Sequence, residues 1–221
     1  MSRPLAVLRP EPGNAATARA IEALGRSAIR LPLFRIVPLA WDKPPADAHD
    51  ALILTSANAV RQAGAALRAY AALPVHAVGA ATAAAARAAG LRVVASGVAD
   101  GQALLDAAGR AGVRRALLLT ARERAVADHP VLGTIRAVYA SEAVEDVDVT
   151  PLHETVALVH SQRAARRLAM LAVDRGTIAV AAIAPAVAQA LGIGWRAVAV
   201  AARPDDAATI AAALPLSDAC D

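Results

Sequence analysis

The residues able to do chemistry in this chain are hydroxyls placed where apolar runs stop. Thr55 and Ser56 follow "ALIL" and open "ANAVRQAG"; His160 and Ser161 follow "VALV" and open "QRAARRLA". Gly79 and Thr82 stand in the same relation to "VHAV", and Tyr139 ends "TIRAVY". If the apolar runs are strands of an open parallel sheet, these positions lie beyond the strands' carboxyl ends. There the following helix presents unpaired N–H groups. Hydroxyls and helix N-termini together favour an anionic group, carboxylate or phosphate. The plainer reading is that each Ser or Thr only caps its helix.

Other chemistries find little support. Cys220 is the sole cysteine, which excludes an intrachain disulfide framework or thiolate metal site. His49, His76, His129 and His153 have no metal-ligand spacing, and His160 reads as a partly buried polar residue. The stretch "EAVEDVDV" (142–149) alternates acid with valine and reads as an exposed strand, not as a metal site. There is no G-x-x-x-x-G-K-[ST], no G-x-G-x-x-G spacing in "VGAATAAAARAAG" and no G-x-S-x-G around Ser161. What remains are hydroxyls, arginines, backbone N–H groups and Tyr139.

The elements that must position these residues are legible from the apolar pattern. The chain has 221 residues, 57% hydrophobic but only 2% aromatic, so Ala, Val, Leu and Ile must fill its cores. Short apolar runs alternate with Ala-rich amphipathic segments, a βαβα pattern that predicts α/β with parallel sheets. Strands are expected at 5–9, 28–32, 51–55, 75–79, 91–95, 116–120, 134–139, 155–160, 177–183 and 196–201. Helices are expected at 15–25, 57–70, 81–89, 101–110, 162–173, 186–191 and 205–214. Lys43 is the only lysine, and the net charge of +4 is carried by dispersed arginines without interleaved aromatics, so a nucleic-acid groove is not expected. No uninterrupted run reaches the length of a spanning helix and the N-terminus lacks a signal-peptide core. The expectation is a soluble, cytoplasmic protein without membrane contact.

An internal repeat orders the whole. "ALILTSANAVRQAG" is echoed by "VALVHSQRAARRLA", placing Ser56 and Ser161 105 residues apart. Thr82 and Val187, and Asp100 and Asp205, stand at the same offset. A period this long indicates two copies of one α/β unit, hence two similar domains with a cleft that gathers their strand ends.

The order and spacing of these segments resemble the uroporphyrinogen-III synthases over nearly the whole chain. The carriers are "RPEPGNAATARAIEALG" with Arg9-Pro10, "LPLFRIVPL", "LILTSANAV", "HAVGAATAAAARAAG", "IRAVYASEAV", "LVHSQRAARRL" and "VAAIAPAVAQAL". Leu8 stands where that family often has Thr, "TARER" where an Arg-Gly loop is usual, and Ala186 and Val187 where hydroxyls are typical.

The resemblance implies two flavodoxin-like parallel-sheet domains joined by a two-stranded β-ladder. Residues 1–35 with 150–221 would form one domain, 49–134 the other, and 36–48 with 135–149 the ladder, allowing opening and closing. It implies a cofactor-free, metal-free lyase acting on hydroxymethylbilane, as a monomer that receives the bilane from the upstream bilane-forming enzyme. Tyr139 and Thr82 would be catalytic. Arg9, Thr55, Ser56, Ala57, Asn58, Gly79, Ser161, Gln162 and Arg163 would bind substrate. The alternatives are a non-catalytic two-domain binder of an anionic small molecule and an enzyme carrying a nucleotide on its Rossmann-like halves.

Overall fold

The computed structural model describes residues 2–97, 100–123 and 126–219. Cys220 lies outside them. The chain divides into two compact units, Met1–Arg35 with Glu142–Asp221 and Ile36–Ser141.

The first unit is a five-stranded parallel sheet. Its strands are β1 (Leu5–Val7), β2 (Ala28–Arg30), β9 (Val156–Val159), β10 (Ala179–Ala182) and β11 (Ala197–Val200), in the order β11-β10-β9-β1-β2. Helices α1 (Gly13–Ala23) and α7 (Asp206–Asp218) cover one face, α5 (Gln162–Leu171) and α6 (Pro185–Leu191) the other. The two-residue period of a strand explains why β9 is apolar throughout. Val156 and Leu158 pack with Ile21 and Ile210, whereas Ala157 and Val159 pack with Leu168 and Leu191.

The second unit repeats the plan. Strands β3 (Phe34–Pro38), β4 (Ala51–Leu54), β5 (Val75–Ala77), β6 (Val93–Ser96), β7 (Ala116–Ala121) and β8 (Leu132–Ala143) form a six-stranded sheet, in the order β3-β8-β7-β4-β5-β6; the first two residues of β3 and the last two of β8 are counted with the first unit. The pairs β4–β5, β4–β7, β5–β6 and β7–β8 are parallel. Leu52 and Leu54 pack with α2 (Ala57–Ala63) and α3 (Ala80–Ala88); Ala51 and Ile53 pack with Leu104, Leu105 and Ala108 of α4 (Gly101–Arg110). Truncating any of these buried leucines to Ala costs about 2–5 kcal/mol.

Three expected elements are corrected. The helix expected over 57–70 stops at Ala63, because Gly64 takes φ +55° and the chain continues as 3₁₀ turns to Tyr70. The strand expected over 142–149 ends at Ala143, and Asp148 instead accepts from the N–H of Thr150 at 2.9 Å in a turn. Of the expected ladder segment 36–48, only residues to Pro38 are strand, and Ala46–Ala48 is a 3₁₀ turn.

Candidate active site

In both units the sequence-selected groups gather at the carboxyl ends of central strands. In the second unit β4 delivers Thr55 and Ser56, but the two side chains diverge. Ser56 is the N-cap of α2 and accepts from the N–H of Asn58 at 3.0 Å. The methyl of Thr55 turns instead toward Gly101 at the start of α4, where an added Cβ would lie 3.4 Å from it. Ala57 and Asn58 form the first turn of α2, and the Asn58 amide oxygen accepts from Arg61 at 2.9 Å.

Tyr139 comes to the same place from β8. It is 8% exposed and packs in the cluster that includes Leu54 and Ala59. Burial raises its pKa above the ordinary tyrosine value, a hydrogen bond with the Ser56 side chain opposes that, and the nearby charge of Glu123 adds to it. The phenol is thus held protonated, a donor set beside the start of a helix. Thr82 lies buried in the first turn of α3, with Gly79 as N-cap in extended conformation. A Cβ at Gly79 would meet nothing within 4 Å, so contacts within the protein do not require glycine there.

In the first unit β9 delivers His160 and Ser161. Ser161 caps α5, accepting from the N–H of Ala164 at 3.1 Å. Gln162 accepts from Arg166 at 3.1 Å, and the Arg163 guanidinium lies 4.4 Å from the centre of the Phe34 ring. Arg9, just past β1, bonds to Asp206 at 3.2 Å. Asp206 opens α7 and also accepts from Thr17 at 2.8 Å and from His160 Nε2 at 2.8 Å. Burial would raise its pKa. The hydrogen bonds of His160 and Thr17 and the positive charges of His160 and Arg9 outweigh that, holding the carboxyl below its ordinary range.

Sequence reasoning missed Asp206 and Thr17 and set His160 aside. The available signal was Asp205, paired with the cap Asp100 by the repeat; its neighbour carries the ion pair. The loop before α6 carries no hydroxyl at the helix start: Ala184 is the N-cap there, followed by Pro185, Ala186 and Val187.

The described residues contain no cluster of three or more His, Cys, Asp or Glu that could hold a metal ion. Among them no helix is long and apolar enough to cross a membrane.

The family model described as Uroporphyrinogen-III synthase HemD matches residues 15–211. The chain belongs to the uroporphyrinogen-III synthase family, a family of enzymes. Solved structures of such synthases share the fold. The one from Helicobacter pylori 26695 is 15% identical with a TM-score of 0.65, covering 97% of this chain and 99% of its own. A mutant from the extreme thermophile Thermus thermophilus is 17% identical with a TM-score of 0.55, covering 88% of this chain and 92% of its own. No curated protein matches the sequence.

Proposed function

We propose that the chain is an active uroporphyrinogen-III synthase. It would cyclise hydroxymethylbilane to uroporphyrinogen III with inversion of ring D and loss of water, using neither metal nor nucleotide. The observation that carries this reading is the buried Tyr139 phenol hydrogen-bonded with the Ser56 cap, in a chain matched by the family over residues 15–211.

The chemistry asks for two things. The terminal C–O bond of the bilane must break, which is easier when a donor turns the departing hydroxide into water. Tyr139 is that donor, with Thr82 as a second hydroxyl of the same unit. The azafulvene so formed at ring A is attacked by ring D through its substituted position. The spiro intermediate then fragments and recloses with ring D inverted, and the proton lent by Tyr139 is recovered when the last tautomerisation releases one from carbon. The second need is orientation, because free bilane closes without inversion. Carboxylates held by strand-end N–H groups, hydroxyls and Arg9 supply it. Ala57, Asn58, Gly79, Gln162 and Arg163 serve through their places in the first turns of α2, α3 and α5. In this reading the enzyme is a cytoplasmic monomer supplied by the upstream bilane-forming enzyme.

The rival reading, a non-catalytic binder of an anionic small molecule, draws on the missing hydroxyls before α6. Incubation with hydroxymethylbilane in chelator-treated, nucleotide-free buffer, with the isomers resolved, separates the two. Type III product above the protein-free control supports the synthase; type I alone, at the control rate, removes it.

A further inference from the structure

One carboxylate ties together four elements of the first unit. Asp206, in the first turn of α7, takes hydrogen bonds from Arg9 past β1, Thr17 on α1 and His160 past β9. The arginine is placed tightly: its guanidinium lies over Gly13, so that a Cβ built there would be 2.5 Å from Nε and 2.8 Å from Cζ. Only glycine at the start of α1 leaves that room.

The cluster is not closed on itself. The Arg9 side chain is 35% exposed, and among the described residues Asp206 is the only partner of its guanidinium. The remaining N–H donors of the fork are open. His160 gives Nε2 to Asp206, its side chain is only 8% exposed, and its Nδ1 is buried with no hydrogen-bond partner. Here a cation with spare donors stands at strand ends, where ligands bind in parallel sheets.

We propose that Asp206 is the positioning residue of a carboxylate-binding subsite in the first unit. It presets the Arg9 guanidinium over Gly13 so that the open part of the fork meets a carboxylate of the ligand, as fork geometry favours. The inference rests on the synthase reading for the identity of that ligand, but not on its turnover.

The test is a double-mutant cycle on binding of uroporphyrin III, an octacarboxylate that needs no catalysis to bind. Asp206→Asn keeps size and removes the charge. It should weaken binding about tenfold, as should Arg9→Ala, the scale of a lost hydrogen bond to a charged group. The double variant should be no weaker than either single one, because Asp206 acts through Arg9. Asp206→Glu should recover part of the affinity, and should Asp206→Asn fail to fold, this variant carries the cycle. The turnover number of Asp206→Asn should stay within about twofold while KM rises, a split that lost packing does not produce. Additive losses in the cycle, wild-type affinity in Asp206→Asn, or no binding by the wild type would overturn the proposal. Wild type that binds uroporphyrin III but yields only type I product would remove the synthase reading and leave the subsite standing.

Discussion

Ser56 and Ser161 stand 105 residues apart and do the same thing: each ends a central strand and caps the helix that follows. What surrounds them differs. Beside Ser56 lies a neutral phenol, Tyr139, held protonated by burial. Beside Ser161 lies a charged knot in which His160 and Arg9 share the Asp206 carboxylate. The common scaffold supplies two strand ends of one geometry. In the proposed reading the neighbours make one end a proton donor and the other an anion holder. The repeated serines are caps, and the proposal gives the division of labour to their unrepeated neighbours.

The largest effect expected from that difference is on Tyr139. Tyr139→Phe should lower the turnover number by about a hundredfold or more, the range of a lost general acid, with uroporphyrin III affinity nearly unchanged. Steady-state kinetics beside equilibrium titration checks both halves.

Next comes the pair of glycines at helix starts. Gly13→Val must push the Arg9 guanidinium aside and should weaken uroporphyrin III binding as much as Arg9→Ala does, about tenfold. Gly79→Ala meets no atom and should cost at most about 1 kcal/mol, as a poorer cap. Equal binding losses at the two positions would erase the contrast.

The two ends should also answer pH from opposite sides. Asp206 has a folded pKa below its ordinary 3.8, so its contribution to stability is present above that value and is lost as pH falls through the folded one. Tyr139, with Tyr70 in the same unit, has a folded pKa above 10.0. That contribution is present below 10.0 and is lost as pH rises toward the folded value. Denaturant midpoints across pH should show a flattened acid limb in Asp206→Asn and a flattened alkaline limb in Tyr139→Phe.

The smallest effects belong to the caps. Ser56→Ala and Ser161→Ala should each cost about 1 kcal/mol of stability by chemical denaturation. Only Ser56→Ala should also slow turnover, through its hydrogen bond with Tyr139. If Ser161→Ala slows it equally, the two copies are functionally alike.

Much of this architecture was legible because it is local. The apolar runs at 51–54 and 156–159, the hydroxyls behind them and their 105-residue spacing mark strand, cap and helix within a few residues. The helix break at Gly64 was less visible, since the Ala-rich pattern runs on to Tyr70 while a positive φ at the glycine ends the α-helix. The turn at Asp148 hid in a strand-like alternation of acid and valine. The Asp206 knot was not legible. Its members come from positions 9, 17, 160 and 206, brought together only because β1 sits between β2 and β9 in one sheet. No periodicity of a single element reports such a meeting.

The most direct test of the division between holding and proton delivery is the isomer made by Tyr139→Phe, with enzyme in excess of hydroxymethylbilane so that little bilane stays free. If Tyr139 only speeds departure of water, the slowed variant still forms type III uroporphyrinogen, because the strand ends continue to orient the chain. Product shifted to type I under the same conditions would contradict this, making Tyr139 part of what holds ring D in place.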